Sequence, residues 1–98
     1  ALAENFVLTS LLAQGFDIPN YWTLQGNKAE VDFLIASKLA VIPIEVKSDR
    51  RISGKCFAEY DKKYNPSLRI RLSMNNIKKD GNLLNLPIFM ADWIKEYL

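Results

Sequence analysis

The chain has 98 residues, 49% of them hydrophobic and 24% charged, enough for one core and outside the composition of disordered chains. It has no histidine and one cysteine, Cys56, which excludes histidine triads, histidine zinc sites and an internal disulfide framework. The net charge of +2 hides a segregation: residues 46–79 carry ten basic groups against three acids, while residues 1–45 carry two lysines against five acids.

Residues 1–14 predict a helix. Leu2, Phe6, Leu8, Leu11 and Leu12 recur at helical spacing, and Gly15 suits the position past its end. Glu4 sits near the start of that helix. The chain's longest uncharged run, residues 5–16, is too short and too polar to span a bilayer. Residues 17–20 form a loop and 21–25 a strand rich in residues that fit a pleated surface. Residues 26–28 make a turn, 29–36 a second strand and 41–47 a third. Pro43 lacks a donor, so its nitrogen must face away from a ladder partner or sit at an irregularity. After a polar loop at 48–54, residues 55–64 read as a helix that stops before Asn65-Pro66. Residues 68–73 alternate as a fourth strand, and 75–82 read as a loop. A last helix starts at Pro87 with Asn85 as its cap, and Phe89, Met90, Trp93, Ile94, Tyr97 and Leu98 recur along it. Trp22 and Trp93 read as core or interface anchors.

The third strand ends in Glu45-Val46-Lys47, which puts a carboxylate and an ammonium on one face. A turn centred between Lys38 and Leu39 pairs positions that sum to 77, and Asp32 then lies opposite Glu45. Cross-strand partners stand roughly 5 Å apart at Cβ, so the two acids repel unless a cation lies between them. One lysine leaves a deficit, and a hard ion such as Mg²⁺ or Mn²⁺ suits such oxygen ligands. Lys55, Lys62, Lys63, Arg69 and Arg71 are candidates for phosphate contact, with Arg69 and Arg71 on one strand face.

Asp32 within "EVDFLI" and Glu45-Val46-Lys47 within "IEVK" resemble the PD-(D/E)xK superfamily of restriction-endonuclease-like phosphodiesterases. Val31 stands where the superfamily's name has proline, and the glutamine that some nuclease branches carry on the following helix is missing from the stretch Tyr60 to Tyr64. The resemblance implies an α/β domain with an αβββαβ core, a C-terminal helix and a mixed sheet flanked by helices. It implies that Asp32 and Glu45 bind Mg²⁺ or Mn²⁺, that Glu4 assists, and that Lys47 serves the attacking water. "LAENFVLTSLLAQGF", "VIPIEVKS", "KYNPSLRIRLS" and "KKDGNLLNLPIFMADWI" are similar to a narrower family, the domain of unknown function 4143 of prokaryotic AAA-type ATPases.

That resemblance implies one domain over residues 1–98, a C-terminal piece of a larger cytoplasmic ATPase whose nucleotide-binding module lies upstream. No Walker motif occurs in these residues. The expected activity is metal-dependent cleavage of DNA or RNA. The alternatives are a catalytically silent nuclease-fold module that binds nucleic acid or a partner, and a structural domain.

Overall fold

A computed structural model describes residues 2–16, 22–23, 30–38, 40–47 and 55–98, and the side chains at 22, 23, 30, 31, 55 and 56 are not among the described atoms. The expectations for the loops at 17–20 and 48–54, the turn at 26–28 and the side chains of Trp22, Glu30, Lys55 and Cys56 therefore lie outside the described residues.

Helix α1, Leu2–Ala13, is followed by a two-stranded ribbon of β1, Trp22–Thr23, and β2, Glu30–Val31. The chain bends at Asp32 and enters β3, Phe33–Ser37, then β4, Ala40–Val46. Helix α2, Lys55–Tyr64, leads to β5, Arg69–Ser73, β6, Lys78–Asp80, and β7, Leu83–Pro87. A 3₁₀ helix, Ile88–Tyr97, closes the chain. Strands β3 to β7 form one mixed sheet in the order β3-β4-β5-β7-β6, so the molecule is a mixed α/β fold with a five-stranded sheet.

The register of β3 against β4 is the expected one, with Phe33 opposite Ile44 and Ser37 opposite Ala40. Lys38 makes the turn with φ of 57°, a left-handed conformation uncommon outside glycine. Gly15, with φ of 88°, ends α1 as expected, because only glycine takes that conformation at no steric cost. The ladder of β4 with β5 begins at Ile44, so Pro43 needs no donor toward that neighbour.

Two expectations for residues 75–87 are corrected. The segment read as a loop over 75–82 contains β6, whose three residues are exposed and charged, and Gly81 turns the chain into β7. Asn85 is not a helix cap. It lies within β7, between Arg71 of β5 and Lys78 of β6, and Pro87 precedes the 3₁₀ helix without a side-chain cap.

One face of the sheet holds the main core, where Ile44, Val46, Ile70, Leu72 and Leu86 meet Val7 and Leu11 of α1 and Ala91 and Ile94 of the 3₁₀ helix. Of the expected stripe on α1, Leu11 is buried and Leu8 packs against the core, Val7 and Ser10 complete the buried face, and Leu2, Phe6 and Leu12 remain exposed. The small Ser10 lets the helix lie close, and Gln14 then ties it to the 3₁₀ helix. Its Nε2 donates to the Ala91 carbonyl at 2.7 Å, and its Oε1 accepts the Lys95 N–H at 3.0 Å. Trp93 is not a core anchor, being half exposed together with Phe89 and Tyr97. Phe57 and Tyr60 of α2 make a second, smaller cluster with Leu34 and Leu83.

Candidate functional site

Glu45 follows Ile44 on β4, and the alternation of the strand turns its side chain away from the main core. It is still only 3% exposed. A buried carboxylate needs charged partners and hydrogen bonds, since isolated burial costs several kcal/mol. Parallel pairing sets Arg71 of β5 beside Glu45, and the Arg71 Nε–H donates to Glu45 Oε2 at 3.0 Å. The Lys47 ammonium stands 3.5 Å from the other oxygen, Oε1. Both carboxylate oxygens thus face a cation supplied by the protein. Arg71 in turn lies near the ring of Phe57, its guanidinium carbon 6.0 Å from the ring centre.

Asp32, at the bend between β2 and β3, accepts the Val46 N–H at its Oδ2 over 2.7 Å. This bond spans the hairpin and holds the carboxylate at the end of β4. Burial raises the Asp32 pKa from its ordinary 3.8, the Val46 N–H opposes that rise, Glu4 and Glu45 add to it, and Lys47 lowers it. Glu4, Asp32, Glu45 and Lys47 are therefore brought into one electrostatic neighbourhood, with α1, the bend and β4 each supplying a member.

The raised pKa has a consequence for stability. Between 3.8 and the folded value, the folded chain holds a proton that the unfolded chain has lost, so this group's contribution falls as pH rises through that window. Asp32→Asn removes the term while keeping an oxygen for the Val46 N–H. Urea unfolding at stepped pH should show the variant gaining on the wild type as pH rises through the window. A variant that loses ground instead would mean the charged carboxylate is the stabilised form.

The candidate phosphate contacts divide into two kinds. Arg69 is turned inward: its Nε–H donates to Asn82 Oδ1 at 3.0 Å, and it stands 3.6 Å from Asp61 Oδ1. Asn82 also donates to Asp61 at 2.7 Å and to the Pro66 carbonyl at 3.0 Å, so the three side chains join the end of α2 to the sheet. Arg71 is committed to Glu45. Lys62 and Lys63 are exposed on α2, and Lys78 and Lys79 are exposed on β6. The sequence reading missed Asn85 and Lys78, because a cap and a polar loop explain those residue types equally well.

A hard divalent ion would need open oxygen ligands converging on one point. Glu45 has a cation at each oxygen, and one oxygen of Asp32 carries a backbone N–H. Among the described residues, no three aspartate, glutamate or cysteine side chains come together to hold a metal ion. The arrangement does not fit the expected Mg²⁺ or Mn²⁺, because Arg71 and Lys47 already supply the counter-charge.

The model of a domain of unknown function, DUF4143, matches residues 1–89. The chain belongs to the DUF4143 family. No curated protein matches it. Among its described residues, the DUF4143 domain has no helix long and apolar enough to cross a membrane.

Proposed function

We propose that this DUF4143 domain is a restriction-endonuclease-like module that binds nucleic acid without cutting it, on behalf of an attached ATPase. The observation that carries this reading is the state of Glu45, buried and engaged by Arg71 at one oxygen and Lys47 at the other. In the PD-(D/E)xK arrangement that acid holds the metal. Here a fixed guanidinium supplies the positive charge, and a guanidinium has no coordination site at which to bind and acidify a water. Among the described residues of the basic segment, Arg69 is turned inward, and Lys62, Lys63, Lys78 and Lys79 are exposed. Exposed lysines contact phosphate as point charges, without sequence preference.

The test pairs binding with cleavage. Labelled single- and double-stranded DNA and RNA are incubated with the domain and Mg²⁺ or Mn²⁺. Retention that weakens steeply with salt, with every strand intact, is the expected result. Metal-dependent cleavage that disappears in Lys47→Ala would overturn the reading. It would favour a second one, a metal-dependent phosphodiesterase, which the crowding of Asp32 by Glu4 and Glu45 supports. That reading requires Glu45 to leave Arg71.

A further inference from the structure

The engaged side of Arg71 faces Glu45, and its other side lines a cavity. Strand register puts Glu45, Arg71, Asn85 and Lys78 in one row across β4, β5, β7 and β6. Residues paired in register project to the same face of a sheet. The last three of the row, with Asn75, Asn76 and Ile77, line an open cavity of about 420 Å³. That volume lies within the range of small-molecule sites, roughly 300–1,000 Å³.

The cavity wall is fixed by its own hydrogen bonds. Asn85 Nδ2 donates to the carbonyls of Asn75 and Asn76 at 3.3 and 2.9 Å, and its Oδ1 accepts the Ser73 hydroxyl at 2.8 Å. The Asn75 N–H donates to Ser73 Oγ at 3.1 Å, and the Ile77 N–H donates to Asn76 Oδ1 at 2.8 Å. This network spends the Asn85 side chain on the loop and holds the loop over the sheet. Arg71 donates its Nε–H to Glu45, and the same side chain lines the cavity. A guanidinium held at its Nε carries four further N–H donors in a fixed fork, and beside an exposed ammonium it matches the oxygens of a phosphate. Leu83 and Ile77 give the same cavity an apolar surface for the group that carries the phosphate. Asp80, the one acid of the lining, belongs to the next row, opposite Leu83. It disfavours a second anion there.

We propose that this cavity is a binding site for a single phosphoryl group, held between Arg71 and Lys78. The proposal rests on the binding reading above and names the place where a nucleotide phosphate is gripped. The phosphate has two sources, a free nucleotide or a nucleic-acid strand.

The test is a titration of the isotope-labelled DUF4143 domain with inorganic phosphate, with a mononucleotide, and with a short single-stranded oligonucleotide, followed by amide chemical shifts. All three should move the amides of Asn75, Asn76 and Lys78. Tighter binding of the mononucleotide identifies a small-molecule site, and tighter binding of the oligonucleotide identifies a strand site. Lys78→Ala, at an exposed position, should weaken phosphate binding about tenfold, the loss of one charge-assisted hydrogen bond. Pocket amides that stay still, or a Lys78→Ala domain that binds phosphate as tightly as the wild type, would overturn the proposal. If salt-dependent retention of nucleic acid through Lys62 and Lys63 survives that result, the pocket alone is wrong. If the oligonucleotide is cut when Mn²⁺ is added, the non-cutting reading is wrong, and the pocket is judged by its shifts.

Discussion

Arg71→Met is expected to cost about 3–5 kcal/mol of folding stability, the penalty for leaving a buried charge without its partner. Glu45 is 3% exposed, and its Oε2 has its close contact with Arg71 at 3.0 Å. Lys47 cannot take over both oxygens, since its ammonium stands 3.5 Å from Oε1 and its side chain is about one-third exposed. Methionine keeps most of the volume of the arginine stem, so the loss reads electrostatics more than packing. The double variant Arg71→Met/Glu45→Gln should recover most of that loss, because it removes the stranded charge along with its counter-ion. The midpoint of urea unfolding, at unchanged slope, measures both. A loss below about 1 kcal/mol, the value of a surface ion pair, would show that Glu45 reaches water and is not clamped.

Phe57→Ala should cost a similar amount, about 3–5 kcal/mol, through a different term. Phe57 is fully buried, and with Tyr60 it supplies the apolar contact of α2 with Leu34 and Leu83. The Arg69 and Arg71 guanidiniums lie 5.5 and 6.0 Å from its ring centre. Truncation therefore opens a cavity and strips an aromatic face from both arginines. Because this cluster is separate from the main core, the damage should be local. Hydrogen exchange should speed up in α2 while the amides of β4, β5 and β7 keep their relative protection. Uniform loss of protection across the sheet would show that α2 and the main core unfold as one unit.

The hairpin was legible because its sequence alternates on both sides of a short turn. Phe33 and Ile35 face Ile44 and Ile42, and any slip by one residue would send them to the other face. Asp32 and Glu45 followed from that register. Arg71 as the partner of Glu45 did not. Strands β4 and β5 are joined through a helix, and no local signal sets a parallel register across such a crossover. The arginines on alternate positions read equally well as a phosphate-binding face and as a solvated one, whereas burial makes them internal counter-ions. Strand β6 was hidden by its own chemistry. Lys78-Lys79-Asp80 is an exposed edge, and charges on an edge strand resist pairing with another chain, so the segment reads as loop. Asp80-Gly81 was the visible clue, a hairpin turn signal without the flanking apolar alternation that normally accompanies it. On α1 the sequence is apolar on several sides, so periodicity alone could not choose the Val7–Leu11 face over the leucines that stay exposed.

On the reading proposed above, Arg71 and Lys47 take the place of a metal ion beside Glu45 in this DUF4143 domain. Calorimetric titration of the wild-type domain with Mn²⁺ tests it most directly. The expected result is no saturable binding, with the same heats in wild type and Asp32→Ala. Saturable binding that Asp32→Ala abolishes would contradict the claim.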